Sequence, residues 1–280
     1  LVIVMIVVAT ENFFNPITYV IAVILIATRQ HALAVMSHEG AHYRLVHDHN
    51  WNTWIANLFC VYPMFVQIEI YRYNHLLHHK YTNEDQDPDV RYQKDLPDYQ
   101  FPMPGKKLLK IFLFELLGGG VVANFQRMRR YNSDPELKTA LATELGKTKW
   151  IRIIYYLALA TALTLMGGWK IYLLYWLIPI LWILPMILRL RNICEHFGLS
   201  YDSDLQGTRD VACSWIEGWL ISPHYIRLHL VHHFYPSVPF YNLSKLRRIL
   251  MDFPIDREGG HRNSTYLLPA KDAVWRELVI

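Results

Sequence analysis

Histidines are the residues of this sequence whose type and spacing most directly suggest chemistry. There are 14 in 280 residues, and nine of them fall in four short clusters. The first cluster, His38-Glu39-Gly40-Ala41-His42, places two imidazoles at helical positions i and i+4. Their Cβ atoms are then about 5–6 Å apart on one face of the helix. Two imidazoles so placed can hold one metal ion or two adjacent ones.

The other clusters use the same helical spacing. His75-Leu76-Leu77-His78-His79 and His229-Leu230-Val231-His232-His233 share the pattern H-x-x-H-H, while Asn192 and His196 pair an amide with an imidazole at i and i+4. Two such H-x-x-H-H patterns arise by chance in fewer than about 1% of chains with this histidine frequency. Isolated histidines are usually structural hydrogen-bonding groups, the role that we expect for His31, His47, His49, His224 and His261.

Nine neutral imidazoles exceed the three or four ligands of a tetrahedral zinc and are enough for two metal ions of higher coordination. Imidazole binds zinc, copper, iron and nickel, so the ligand type alone leaves the metal open. We favour iron, used with O₂. Acids near the clusters are expected to accept a hydrogen bond from the second ring nitrogen of a ligand; the candidates are Glu39, Glu84, Asp85, Asp87, Asp89 and Glu195.

The elements that position these histidines are predicted from long apolar blocks. Charged residues make up 19% of the chain and apolar residues 52%, which indicates a membrane protein with large polar parts. Spans are predicted at about residues 17–36, 150–168 and 169–190, the last two joined by a short turn. Residues 1–9 are expected to be a span truncated at its start; a cleaved signal peptide fits less well, because no basic segment precedes them.

Two further apolar stretches, residues 51–70 and 111–125, are shorter or amphipathic, so we expect them to be interfacial or re-entrant. Of 28 Lys and Arg, 14 lie in residues 37–149 and 10 in residues 191–280, and the loop 10–16 has none. The positive-inside rule therefore places both large polar segments in the cytoplasm.

The expected fold is an all-α membrane protein, a single domain over residues 1–280. It has about four transmembrane helices in two hairpins, a cytoplasmic helical cap that carries the histidine boxes, and a polar tail from about Asp256.

Nucleic acid is not an expected partner, because the net charge is only +4 and no dense basic tract occurs. Cys60, Cys194 and Cys213 are far apart, which argues against a disulfide framework, a zinc ribbon and a built-in rubredoxin-like centre.

The order of these motifs resembles the membrane fatty acid desaturase superfamily. H-x-x-x-H is followed by H-x-x-H-H with Tyr81-Thr82-Asn83 and Asp87-Pro88-Asp89, then by Asn-x-x-x-His in Asn192-Ile193-Cys194-Glu195-His196. The last H-x-x-H-H runs into residues 234–243, and the similarity covers residues 38–250. Residues 208–224 are most similar to the bacterial branch that includes rhizobitoxine-type desaturases and lies near carotenoid ketolases.

The resemblance implies a non-haem centre of two iron ions that uses O₂ as co-substrate and two external electrons to remove hydrogens from an unactivated acyl chain. Carried over by motif, the ligands would be His38, His42, His75, His78, His79, His196, His229, His232 and His233. Asn192 would be a water-mediated ligand with a catalytic role; its alternative role is to cap the end of the last span.

The implied partners are the lipid bilayer, an aliphatic or acyl substrate and an external electron donor. No His-Pro-Gly-Gly haem motif occurs, so a separate donor of the ferredoxin, rubredoxin or cytochrome b5 type is expected. Because every histidine box borders apolar helices, the substrate is expected to be long and apolar, in a tunnel between the spans.

Three alternatives remain open. A hydroxylase or ketolase of a lipid or carotenoid would use the same di-iron centre, and ligand spacing cannot separate these outcomes from desaturation. His38-Glu39-Gly40-Ala41-His42 also satisfies H-E-x-x-H, the zinc metalloprotease motif, but that function would leave seven clustered histidines without a role. A metal transporter would place its ligands in the middle of its spans, whereas these clusters lie at span ends.

The predicted topology can be tested by cysteine labelling in a variant without the three native cysteines. A cysteine at Asn12 is expected to react with an impermeant maleimide from outside intact cells. A cysteine at Asp98 is expected to react only after permeabilisation, because the positive-inside rule places residues 37–149 in the cytoplasm. The reverse labelling pattern would contradict this topology.

Overall fold

The computed structural model describes residues 1–93, 95–122, 125, 126, 129, 135–201, 203–254 and 259–280. Helices dominate these residues, as the sequence predicts. They are α1 Val2–Asn12, α2 Pro16–Ala41, α3 His49–Ile55, α4 Ile68–Lys80, α5 Pro88–Gln93, α6 Gly105–Leu116, α7 Pro135–Ala140, α8 Ala142–Leu165, α9 Trp169–Tyr172, α10 Ile178–Leu181, α11 Ile183–His196, α12 Trp215–Leu220, α13 His229–Phe234, α14 Phe240–Leu250 and α15 Val274–Leu278.

Shorter elements join these helices. Two π-helical segments, Ala56–Val61 and Leu173–Leu177, continue α3 and α9, and 3₁₀ turns occupy Tyr62–Met64, Pro97–Tyr99 and Asp204–Gln206. Strands β1 Asp210–Val211 and β2 Arg262–Asn263 form a two-residue parallel pair.

Within the described ranges, two helical stretches are long and apolar enough to cross a membrane: Pro16–Ala41 and Trp169–His196. They contain the predicted spans 17–36 and 169–190. A third results if His49–Met64 and Ile68–Lys80 form one broken span; their axes meet at 96°, a bend that also fits the re-entrant segment expected at residues 51–70.

The other two predicted spans do not meet this criterion of length and hydropathy. Residues 1–9 lie in α1, an apolar helix of 11 residues. Residues 150–168 lie mostly in α8, whose first half carries Lys149 and Arg152. The arrangement of four spans in two hairpins therefore stays a prediction.

Helix α2 packs against α1, α4 and α11. Asn15 begins it with a capping box, in which its side chain accepts from the N–H groups of Ile17 and Thr18 while Thr18 accepts from the Asn15 N–H. Val23 and Ala27 are buried against Ile183, Leu184 and Ile187 of α11. This apolar contact sets the two helices that end in histidine boxes side by side.

Buried polar side chains fix the end of α2, where the first histidine box lies. Asn52, which has no exposed surface, donates to the Gly40 carbonyl oxygen at 2.8 Å and accepts from the Leu45 N–H at 3.0 Å. Arg72 of α4 donates to the Gly40 and Ala41 carbonyl oxygens at 3.0 and 3.2 Å. The carbonyl groups that a helix leaves unpaired at its end are thus bound by the next two helices.

One side chain also spans the bend before α4. The Asn57 amide, again fully buried, donates to Glu69 Oε1 at 2.9 Å and accepts from the Ile68 N–H at 3.1 Å. Phe65 at the bend has a left-handed backbone with φ of 62°. The first turn of α4 is therefore tied to the segment before it, which fixes the direction in which α4 carries its histidines.

The last histidine box is positioned by Asp210 of β1. Its buried carboxylate accepts from the N–H groups of Leu230 and Val231 at 3.1 and 3.3 Å, in the first turn of α13, and from Arg247 Nε at 3.2 Å. Burial raises the pKa of Asp210, and the Arg247 guanidinium counteracts that rise. The carboxylate binds the unpaired N–H groups of a helix with only six residues.

The C-terminal segment is not the polar tail that the sequence suggests. Asp256, where that tail was expected to begin, lies outside the described residues. From residue 259 the chain packs inward: Tyr266, Val274 and Leu278 are buried with Ile193 of α11. The Glu217 carboxylate of α12 accepts from Thr265 Oγ1 and from the next two backbone N–H groups. Apolar residues are spaced among the polar residues of this segment, and they bury one side of it. The average composition of the segment does not reveal that spacing.

The stretch expected to be interfacial at residues 111–125 is described as far as residue 122 and at residue 125. Most of its first part lies in α6, which exposes Leu113 and Phe114 on one face. On the opposite face Glu115 pairs with the buried Arg189 of α11 at 2.6 Å. An exposed apolar face opposite a buried ion pair fits a helix lying in the membrane interface.

Replacement of Gly40 by alanine tests the packing at the end of α2. A Cβ at Gly40 would lie 2.8 Å from the Cβ of Ala56, an atom that cannot rotate away. We expect Gly40→Ala to lower the free energy of unfolding by about 1–3 kcal/mol. Gly146→Ala is the matched control, since a Cβ there meets nothing within 4 Å; it should raise stability by about 0.5–1 kcal/mol. Thermal unfolding in detergent measures both, and equal midpoints would contradict the expected clash.

Candidate metal centre

The structure brings the nine clustered histidines together in two adjacent groups. The five-histidine group consists of His38, His42, His75, His79 and His232. The four-histidine group consists of His78, His196, His229 and His233. Within each group the potential ligand atoms all lie within 4.8 Å of one another. The sequence predicted the meeting of these nine residues but not their division.

The division follows from helical geometry. On α4, His75 and His79 are one turn apart and enter the five-histidine group, while the side chain of His78 points about 100° around the helix into the other group. On α13 the arrangement is reversed, because His229 and His233 enter the four-histidine group and His232 the other. Each H-x-x-H-H box thus serves both groups.

Helices α2 and α11 complete the two groups in corresponding ways. The end of α2 supplies His38 and His42, four residues apart, to the five-histidine group. The end of α11 supplies His196 to the four-histidine group, and four residues before it stands Asn192. Asn192 therefore occupies the position that corresponds to His38. The first group has a histidine there, whereas the second has an amide.

The distances between ring nitrogens fit a shared ligand sphere. In the five-histidine group, Nε2 of His75 lies 2.8 Å from Nε2 of His42 and 3.1 Å from Nε2 of His79. In the four-histidine group, Nε2 of His229 lies 2.9 Å from Nε2 of His196 and 3.1 Å from Nε2 of His233. Two ligands at right angles, each about 2.1 Å from one ion, are about 3 Å apart. The donor set therefore fits metal ions of five- or six-fold coordination.

Burial favours the neutral form of these imidazoles, except at His78, where the Asp87 and Asp89 carboxylates outweigh burial and raise the pKa. Burial and the neighbouring imidazoles lower the pKa values of His229, His232 and His233 well below the usual range. Their nitrogen lone pairs are therefore available at neutral pH. His38 is fully buried, and neither of its ring nitrogens has a hydrogen-bond partner among the described residues. A buried polar group without a partner costs free energy that a metal ion would offset.

Four of the six candidate acids lie beside the histidines. Asp87, fully buried, accepts from His78 Nδ1 at 2.9 Å, and Asp89 Oδ2 lies 3.8 Å from the same nitrogen. Glu195 Oε2 lies 3.5 Å from His229 Nε2. Glu39 Oε1 lies 3.7 Å from His38 Nδ1, while its other oxygen accepts from the Phe240 N–H at 3.0 Å. Glu84 and Asp85 are exposed.

Asp87 determines which nitrogen His78 can offer to a metal. Because its carboxylate binds the Nδ1–H, Nε2 of His78 is left with its lone pair directed at the four-histidine group. On the other box, Thr82 Oγ1 lies 3.2 Å from Nδ1 of His233 and restrains that ring similarly. These contacts orient two ligands from different helices before any metal binds.

Asn192 borders the four-histidine group without acting as a helix cap. It lines two cavities together with His78 and His196, and its Oδ1 is buried with no hydrogen-bond partner among the described residues. Helix α11 continues to His196, four residues further, so Asn192 does not stand at the end of that helix. The capping role considered for this residue is therefore not observed.

Two cavities at the histidines are lined mainly by residues with polar or charged side chains, although more of each wall is formed by apolar atoms than by polar ones. One, of about 170 Å³, is lined by His75, His78, His196 and His229 together with Tyr71, Asn74, Asp89, Arg191, Asn192, Glu195 and Leu188. The other, of about 240 Å³, extends past Asn192 toward Tyr201, Phe197 and Gln93. The long apolar tunnel between the spans stays a prediction.

The sequence analysis missed Tyr71, Asn74 and Arg191 as residues of the site. One signal was available for Arg191, because an ionisable residue inside an apolar helix usually has a functional or a paired role. Arg189 and Arg191 both satisfy that description. Only the structure separates them, since Arg189 pairs with Glu115 on the face opposite the cavity residues.

Comparisons with known proteins agree with this geometry. The family model described as fatty acid desaturase matches residues 14–264. A dihydrorhizobitoxine desaturase from Bradyrhizobium elkanii is 25% identical over 245 residues, which cover 84% of this chain and 68% of that relative. The matched region contains all nine clustered histidines and Asn192. The chain therefore belongs to the fatty acid desaturase family.

Proposed function

We propose that this protein is an O₂-dependent di-iron oxidoreductase that desaturates an aliphatic chain of an acyl compound or related lipid. The observation that carries this proposal is the pair of adjacent groups of five and four histidines, most of them buried. Family membership and a relative named as a desaturase support the reaction type. We further propose that residues 1–280 form one desaturase-like domain.

Iron fits the donor set better than a single zinc ion does. The five-histidine group would hold one ion through His38, His42, His75, His79 and His232, and the four-histidine group a second through His78, His196, His229 and His233. Zinc sites are usually complete with three or four protein ligands. When bound, such a pair supplies the activation of O₂ and the abstraction of hydrogen from an unactivated carbon.

The overall reaction defines what the protein must provide. Desaturation converts a –CH₂–CH₂– unit, O₂, two electrons and two protons into –CH=CH– and two water molecules. The neutral histidines contribute no negative charge, and the neighbouring acids Asp87, Asp89 and Glu195 accept hydrogen bonds or balance charge. The protein's part is therefore to hold the ions, orient their ligands and place the carbon pair beside them.

Asn192 would keep one coordination position exchangeable. A neutral amide oxygen is a weak ligand, and we propose that Oδ1 of Asn192 accepts a hydrogen bond from a water molecule at the four-histidine group. Its buried and unpartnered Oδ1, four residues before His196, supports this role. A position held by water rather than imidazole is one that O₂ can enter, as catalytic metal sites require.

Electrons must come from outside the described centre. We propose a separate donor of the ferredoxin, rubredoxin or cytochrome b5 type, and a cytoplasmic location for the histidine boxes. The two helical stretches that can span a membrane, Pro16–Ala41 and Trp169–His196, both carry histidines at their C-terminal ends. Parallel placement of these ends on one side of the bilayer would leave the centre accessible to a donor in the cytoplasm.

Hydroxylation or ketolation on the same centre is the second candidate function, and the relative's name favours desaturation over both.

The position of Glu39 argues against the zinc protease alternative. A protease would need this carboxylate as general base, yet Glu39 is buried and accepts from the Phe240 N–H, while both histidines of its motif lie in a group with three others.

Metal content is the first test of the proposed function. Purified protein reconstituted with iron is expected to contain two irons per chain by elemental analysis. His232→Ala and His196→Ala should each reduce that content, because they remove one ligand from the five-histidine and four-histidine groups respectively. His47→Ala is the matched control; His47 is exposed and belongs to neither group, so two irons should remain. A single tightly held zinc and no iron would contradict the proposal.

Asn192 can be tested separately from the histidines. Asn192→Ala should keep the fold and most of the iron but lose most of the turnover, since the amide is not a direct ligand. His196→Ala should lose iron as well as turnover. Iron content and product formation, measured on the same preparations, distinguish the two. Near-normal turnover of Asn192→Ala would rule out the proposed role.

A further inference from the structure

We propose that Arg191 binds a carboxylate group of the substrate inside the cavity of about 170 Å³ that borders both histidine groups. The inference rests on the proposed function and adds the substrate class: an aliphatic acid whose reacting carbons lie only a few bonds from its carboxylate. The cavity contains His75 of one group and His78, His196 and His229 of the other. Any molecule that fills it therefore touches the metal-binding region.

The size and lining of this cavity favour a compact ligand that carries a polar group. Pockets for drug-sized ligands usually measure about 300–1,000 Å³ and are mostly apolar. Among the eleven lining residues, Leu188 is the one with an aliphatic side chain, and it is exposed. Tyr71, Asn74, Arg191 and Asn192 bring hydrogen-bonding groups to the wall. A plain hydrocarbon would leave these groups without partners, at a cost in free energy.

The guanidinium group of Arg191 has hydrogen-bond donors that could bind such a ligand. Its Nε donates to Glu195 Oε1 at 2.7 Å, and neither Nη atom has a hydrogen-bond partner among the described residues. The side chain is 13% exposed, so most of its water shell is already lost. A guanidinium group offers a planar fork that matches a carboxylate through two parallel hydrogen bonds. The structure thus presents a partly satisfied cation at the cavity wall.

Arg191 is also close to the place where chemistry would occur. The Glu195 carboxylate connects it to the four-histidine group, since its second oxygen lies 3.5 Å from Nε2 of His229. Asn192, the next residue in the chain, lines the same cavity. Asp89 and Glu195 add negative charge to the wall, but two divalent ions on neutral imidazoles would exceed it. An anion bound by the Arg191 fork therefore meets a net positive site.

Isothermal titration of the anaerobic, metal-loaded protein in detergent tests this role without depending on turnover. Hexanoate is the probe, with hexanamide and hexan-1-ol as neutral analogues of similar size. We expect hexanoate to bind at least tenfold more tightly than either analogue. Arg191→Gln should weaken hexanoate binding at least tenfold, and Arg191→Lys, which keeps the charge but loses the fork, should weaken it by a smaller factor.

Arg44→Gln is the matched control for loss of one positive charge. Arg44 is exposed, lies two residues after His42 and lines neither cavity, so hexanoate affinity should stay unchanged. If Arg191→Gln does not fold, the comparison of Arg191→Lys with Arg44→Gln decides the question. Equal affinity for hexanoate and hexanamide, or an Arg191 variant that binds hexanoate like the unsubstituted protein, would overturn the proposal.

The same preparations separate this inference from the proposed function. Elemental analysis reports whether each sample holds two irons, independently of any ligand. Two irons without a preference for carboxylate would overturn the role of Arg191 and leave the di-iron oxidoreductase standing. A single zinc, together with a preference for carboxylate that depends on Arg191, would overturn the di-iron oxidoreductase and leave the role of Arg191 standing.

Discussion

The lone pairs of nine clustered imidazoles, most of them buried, are the constraint on which the rest of this structure depends. Within each group the ring nitrogens lie about 3 Å apart, and a neutral imidazole has one N–H to share among several neighbours. Hydrogen bonds between the rings cannot satisfy all of them, and burial disfavours the protonation of rings such as His232 and His233. Bound metal ions would resolve this conflict, because each would accept several of these lone pairs at once.

Buried polar side chains hold the helices in the positions that bring these imidazoles together. Asn52 binds the end of α2, Asn57 ties the start of α4 to the segment before it, and Asp210 binds the first turn of α13. Each is less than 1% exposed and hydrogen-bonds to backbone groups that a helix end or bend leaves unpaired. These contacts are distant in sequence from the histidines, yet they determine where the imidazoles meet. Removal of one partner would leave a buried group unsatisfied and displace a ligand helix.

The two histidine groups are related but unequal, and the inequality has a chemical meaning. Both H-x-x-H-H boxes divide their histidines between the groups, and both long helices end in a pair of polar residues four apart. The difference is His38 in one position and Asn192 in the other. The same side of the centre carries the cavity of about 170 Å³ and Arg191. The exchangeable coordination position and the carboxylate site that we propose would therefore lie together, beside the group with fewer histidines.

The sequence by itself determined the helical class, the two apolar helices at residues 17–36 and 169–190 that are long enough to span a membrane, and the convergence of the nine histidines and Asn192 in one region. Helical periodicity and hydropathy are local properties, so they can be read without knowledge of neighbours. Tertiary structure decided the rest. It divided the histidines into groups of five and four, chose Asp87 as the partner of His78, packed the C-terminal segment and formed the cavity beside Arg191. Each of these features depends on how one helix is rotated about its axis relative to another. Packing sets that rotation, together with buried hydrogen bonds between segments up to about 200 residues apart, such as the one between Glu39 and Phe240.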